Sequence, residues 1–168
     1  MHVYVDATPL YNLGQIGDLE LFDVVDGDLA IPTAVADELT VEPAATNLDR
    51  FLTEYAVDTE SEAKEWLDAA AQLLDASEQT SDVYLVAGLL ASRDRGEEFA
   101  LISDDRRLRA VADGLGGTVT STFGIVVRAS LEDKYFPTSQ AKRVIRRTDH
   151  HGIQMTGRLR ERAIGEMD

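Results

Sequence analysis

Short, almost wholly apolar runs alternate along this chain with longer segments whose apolar residues recur every three or four positions. Residues 2–6 read as a short buried strand. Thr8-Pro9 then reads as an N-cap followed by proline at the first helical position. Leu10, Leu13 and Ile16 fit a helix that stops near Gly17, and Asp18 caps the next, with Leu19, Phe22 and Val25 inside. Leu29-Ala30-Ile31 is a very short strand, and Pro32 opens a helix carrying Val35, Glu38 and Leu39. Residues 43–55 and 60–75 are expected helices, with Val57 in a brief extended piece between them. An apolar helix follows from Val83 to Ser92, introduced by Thr80-Ser81-Asp82, and a turn around Gly96 leads to a strand from Phe99 to Ser103. A helix over 105–114, a strand over 118–120 and helices over 122–131, 138–149 and 156–166 complete the pattern.

Strands that alternate with helices imply an α/β fold with a central parallel sheet covered on both faces, a three-layer α/β/α sandwich, plus C-terminal helices. With 168 residues, one domain with a sizeable core is the expectation. A change of character near Phe136-Pro137 divides residues 1–136 from a basic helical extension over 137–168, expected to pack on the same domain. No stretch is apolar enough to span a bilayer and the N-terminus carries no signal-peptide pattern, so a cytoplasmic protein is expected.

Charge narrows the chemistry. The 31 acidic residues outnumber 16 basic ones, giving a formal net charge of -15. Only Lys64, Lys134 and Lys142 are lysines, and an acidic, lysine-poor surface suits a halophilic protein kept soluble in concentrated salt. Such a balance argues against a general nucleic-acid binder. The tail is the exception: Lys134, Lys142, Arg143, Arg146, Arg147, Arg158, Arg160 and Arg162 are opposed there only by Asp149 and Glu161. The absence of cysteine excludes disulfides, thiolate zinc sites and a cysteine nucleophile. His150-His151 reads as a solvated helix end, and no P-loop or dinucleotide loop is present.

The remaining chemistry lies in the carboxylates. Asp6 ends one predicted strand and Asp104-Asp105 ends another. In an open parallel sheet, the crevice beyond the strands' carboxyl ends is the ligand site. Carboxylates gathered there repel unless a proton or cation is shared, and a hard divalent cation is the natural guest. Two adjacent aspartates exceed what one helix cap requires. Asp82 opens an apolar helix, and Glu38 lies on the helix after Pro32.

Val5-Asp6-Ala7-Thr8-Pro9-Leu10, Ile31-Pro32 with Val35 and Glu38-Leu39, and Leu101-Ile102-Ser103-Asp104-Asp105-Arg106 with Arg109, Ala112, Leu115-Gly116 and Val119 together resemble the PIN domain. Thr122-Phe123-Gly124-Ile125 and the basic tail with Gly152 and Leu159 are similar to a prokaryotic PIN-like subgroup. The resemblance implies a Mg²⁺- or Mn²⁺-dependent ribonuclease, often the toxin of a toxin–antitoxin pair. Carried over residue by residue, the implied metal-binding and catalytic acids are Asp6, Glu38, Asp82 and the Asp104-Asp105 pair. Glu78 is an alternative to Asp82, and the choice between Asp104 and Asp105 stays open. RNA is the implied substrate and an antitoxin protein the implied partner, while a homodimer is a state the sequence leaves open. Arg106, Arg107 and Arg109 are either surface ion-pair partners or phosphate contacts. Two rival readings remain: a catalytically inactive PIN-like module that binds RNA or protein, and a small α/β phosphohydrolase acting on a nucleotide.

Overall fold

The computed structural model describes residues 1–59, 63–131, 142 and 144–146. Four strands form one parallel sheet in the order β2-β1-β3-β4: β1 is His2–Val5, β2 Asp28–Ala30, β3 Phe99–Ile102 and β4 Thr118–Thr120. The two central strands are apolar over Val3–Val5 and Phe99–Ile102, because both faces are covered. Val3, Tyr4 and Val5 are buried, as is every residue of β3.

Seven helices cover the sheet: α1 (Ala7–Ile16), α2 (Thr33–Ala36), α3 (Ala44–Glu54), α4 (Leu67–Leu74), α5 (Ser81–Asp94), α6 (Arg106–Gly114) and α7 (Thr122–Leu131). Their packing sorts them into two groups. Helix α1 packs with α3 and α7, and all three pack with a 3-10 segment at Leu19–Val24, whereas α2, α4 and α6 pack on α5. The result is the three-layer α/β/α sandwich expected from the alternation.

Local differences from the pattern have local causes. Helix α1 begins at Ala7 with Asp6 as its N-cap, not at Thr8-Pro9, because the Asp6 side chain accepts the Ala7 N–H. Leu19–Val24 winds as a 3-10 helix rather than an α-helix. The expected 60–75 helix is, in its described part, a 3-10 turn at Lys64–Trp66 leading into α4. Helix α2 closes after one turn, so Glu38 sits in the turn that follows it. The expected extended piece near Val57 appears as a parallel bridge between Ala30 and Asp58.

In the expected C-terminal extension, Lys142, Val144, Ile145 and Arg146 are helical, and Val144 and Ile145 are buried within the core cluster. The expected 156–166 helix, most of the 138–149 helix, His150-His151, Arg143 and Arg147 lie outside the described residues.

One close approach fixes how α5 lies on the sheet. The buried Tyr4 hydroxyl donates to the Gly88 carbonyl at 3.0 Å and shares a 3.1 Å hydrogen bond with Ser92 Oγ. A Cβ on Gly88 would collide with Tyr4 Cε1 and stand 2.9 Å from its Cζ. Gly88→Ala should therefore destabilise the protein by about 2 kcal/mol, since overpacking outweighs the better helix propensity of alanine. A chemical-denaturation midpoint equal to or above that of the wild type would refute the contact.

Candidate active site at the carboxyl ends of β1 and β3

The chain runs from β1 outward to β2, then returns across β1 to β3. The strand order therefore reverses between β1 and β3, and the crevice beyond their carboxyl ends is where an open α/β sheet binds ligands. Asp6 follows β1 there. Its backbone N–H continues the ladder by donating to Ile102 O at 3.0 Å. Ser103, Asp104 and Asp105 leave β3 at the same place.

Asp6 is 6% exposed, and its two oxygens are engaged differently. Oδ1 accepts the Ala7 N–H at 2.7 Å and Oδ2 accepts the hydroxyl of Ser103 at 2.7 Å. Ser103 Oγ in turn accepts the Asp105 N–H at 3.0 Å. Ser103 is fully buried, and it joins the ends of β1 and β3 through one hydroxyl. Sequence reasoning gave this serine no role. The signal that marks it is a hydroxyl in a strand otherwise wholly apolar, which must find a partner when buried.

Asp105 caps α6: its Oδ1 accepts from Arg107 N at 2.6 Å and Leu108 N at 3.3 Å. Among the described residues its Oδ2 accepts no hydrogen bond, and the residue is exposed. Asp104 is committed elsewhere. Its Oδ1 accepts Thr122 N at 3.0 Å, while Oδ2 accepts Thr122 Oγ at 2.7 Å and Asn12 Nδ2 at 3.1 Å. The two neighbouring aspartates thus point their bonding at different partners.

Asp82 lies in the first turn of α5, half-buried, and among the described residues no hydrogen bond reaches its side chain. Glu38 is exposed and accepts a short hydrogen bond from Ser81 Oγ, which ties the turn after α2 to the start of α5. Glu78 is exposed and precedes α5. Among the three arginines, Arg109 donates to Ser103 O at 2.6 Å and braces the end of β3. Arg107 is a cationic neighbour of Asp82.

Electrostatics separate this cluster from an ordinary acidic surface. Burial pushes the Asp6 carboxyl above its usual value of 3.8, and the charges of Asp82 and Asp105 push it further, against the hydrogen bonds from Ser103 and Ala7. Asp82 is also raised, first by burial and then by Asp105 and Glu38, with Arg107 opposing. Four carboxylates therefore share one field with too little positive charge to balance them.

The sign of the pH effect follows. A carboxyl raised in the fold stabilises the folded state fully below the unfolded value of 3.8, and that contribution is lost as pH rises through the folded pKa. Metal-free protein should therefore gain stability as pH falls from 7 into the raised range. The gain should shrink in Asp6→Asn. Thermal melts of the two proteins across that window check this, and parallel curves would contradict it.

A sequence-family model described as a PIN domain matches residues 2–168. The chain belongs to the PIN-domain family. No curated protein and no solved structure matches it. PIN domains are generally nucleases that use divalent metals. Among the described residues, no three or more histidine or acidic side chains stand close enough to hold a metal ion by themselves. The donor set nevertheless fits a hard cation that keeps much of its own water: it is all oxygen, over-rich in negative charge, and includes Asp82 and Asp105 Oδ2, which accept no hydrogen bond among the described residues. No described helix is long and apolar enough to cross a membrane.

Proposed function

We propose that this PIN-domain protein is a metal-dependent endoribonuclease that hydrolyses RNA phosphodiester bonds with Mg²⁺ or Mn²⁺. The observation that carries the reading is the convergence at the switch point between β1 and β3 of buried Asp6 with Asp82 and Asp105, whose charges both act on it. Such a cluster repels a polyanion on its own, so RNA requires a counter-charge there.

Asp6, Asp82 and Asp105 would hold the ion, with Glu38 at the edge of the set through Ser81. When bound, the ion supplies a water of lowered pKa and neutralises charge on the phosphate. The protein's own part is positioning. Ser103 holds Asp6 and the Asp105 backbone at fixed separation, and Arg109 holds the Ser103 carbonyl. Asp104 is assigned to fastening α7 rather than to the ion, because both of its oxygens already accept hydrogen bonds. We place the protein in the cytoplasm, in a salt-rich cell, as the toxin of a toxin–antitoxin pair. The family resemblance and the acidic, lysine-poor composition support that setting.

The deciding experiment incubates the full chain with single-stranded RNA in Mg²⁺, in Mn²⁺ and in chelator. Cleavage with metal and none in chelator is expected. RNA left intact with every divalent metal would favour the non-catalytic binding module.

A further inference from the structure

Among the described residues, one cavity lies beside the acids and does not coincide with them. It has a volume of about 470 Å³ and is lined by residues at α2, at the start of α4 and on α5, together with Thr59, Ala63 and Lys64. Its place on the fold is informative. Pro32, Thr33 and Ala34 follow β2, so the cavity opens along the same carboxyl edge of the sheet that carries Asp6. Asp37 and Tyr84 line it, and they are one residue from Glu38 and two from Asp82. The Ser81–Glu38 hydrogen bond joins the two elements between cavity and acids.

The lining divides into two kinds of chemistry. Tyr84, Ala87, Leu67, Ala63 and Pro32 offer flat or apolar walls, and Tyr84 and Ala87 stand one turn apart on α5. Asp37, Lys64, Thr33 and Thr59 offer donors and acceptors. Lys64 makes no ion pair among the described residues, although the chain has 31 acidic residues to pair with. An aromatic and apolar slot edged by one cation, one carboxylate and hydroxyls is complementary to a planar heterocycle with polar edges. It is not complementary to a phosphate, which Asp37 would repel.

We infer that this cavity is a base-binding subsite, which takes one unstacked nucleobase of the RNA strand next to the phosphate presented to the acids. The inference rests on the nuclease reading for its substrate. Tyr84 stacks on the base, while Lys64 and Asp37 meet acceptor and donor groups on its edge. Guanine, whose edge carries both O6 as acceptor and ring and exocyclic N–H donors, matches that pair best. The subsite also answers how an acidic protein grips a polyanion: part of the affinity comes from an uncharged base, a contact that salt does not screen.

The test separates the subsite from the cleavage chemistry by removing the metal. Full-chain Asp6→Asn protein in chelator is titrated with guanosine, adenosine, cytidine and uridine, which lack phosphate, and methyl signals of Ala63, Leu67 and Ala87 are followed by NMR. Saturable shifts at these methyls, strongest with guanosine, are expected. Tyr84→Ala should weaken nucleoside binding about tenfold, the effect of losing one base–aromatic stack. Tyr84→Phe keeps the ring and should bind like the wild type, although it loses the 3.3 Å hydrogen bond to Gln79. Methyl signals unmoved by any nucleoside would overturn the subsite, as would Tyr84→Ala protein that binds as tightly as the wild type. Nucleoside binding in a protein that cleaves no RNA would keep the subsite and remove the nuclease reading. Cleavage without nucleoside binding would do the reverse.

Discussion

Asp6→Asn protein should fold, melt within a few degrees of the wild type, and cleave RNA about a hundredfold more slowly or worse. The activity loss follows from position. Asp6 is the most buried of the acids and the one on which the charges of both Asp82 and Asp105 act. Groups that only orient metal ligands are worth 10–100-fold, so a carboxylate facing the ion should cost at least as much. The mild effect on folding comes from two opposed changes. Asparagine keeps one carbonyl oxygen for Ala7 N–H or the Ser103 hydroxyl but cannot accept from both as a carboxylate does. Against that loss, a charge leaves a site where burial and two like charges already disfavour it. Addition of Mn²⁺ should raise the melting temperature of the wild type more than that of Asp6→Asn. Equal metal-induced shifts, or wild-type cleavage by the variant, would remove Asp6 from the centre of the site.

Much of the framework was legible because it depends on short-range rules. A run such as Phe99-Ala100-Leu101-Ile102 is too short and too uniformly apolar for anything except a strand buried on both faces. An acid directly after such a strand lies in the crevice by topology, before any coordinates are known. The misplacements share a different cause. Thr8 and Asp6 are both good caps two residues apart, and the start of α1 is settled by the ladder bond from Asp6 N to Ile102 O, 96 positions away. Val35 and Leu39 have helical spacing and are both buried, yet Glu38 and Leu39 N–H groups donate to carbonyls three residues back, in a turn. Apolar periodicity records which residues face the core and does not distinguish a helix from a tightening turn over one repeat. Ser103 escaped notice because a lone serine in a sequence has no visible partner. Its two partners come from the ends of two different elements.

The adjacent pair at the end of β3 is where local and long-range information part most clearly, and a paired substitution measures the difference. Asp104→Ala should lower stability by about 3 kcal/mol, or roughly 6–12 °C in melting temperature for a chain of this size. It removes a charged acceptor that takes three hydrogen bonds and leaves Asn12, 2% exposed, with an unpaired amide, and Thr122, 1% exposed, with an unpaired hydroxyl and N–H. Asn12 is 92 positions from Asp104, so the bond holds α1, the end of β3 and the start of α7 together. Asp105→Asn should do the opposite. Asparagine is as good a helix cap as aspartate, so the bonds from Arg107 and Leu108 N–H survive and the melt barely moves. The charge facing Asp6 and Asp82 is gone, and metal-dependent RNA cleavage should fall by at least tenfold. Either acid could have filled either role on sequence grounds, since both are aspartates after one strand and before one helix. What separates them is which way successive side chains leave the strand end: one turns toward α1 and α7, the next toward the field of Asp6. If Asp105→Asn melts far below the wild type and Asp104→Ala does not, the two roles are reversed, and Asp104 takes the place of Asp105 among the metal-facing acids.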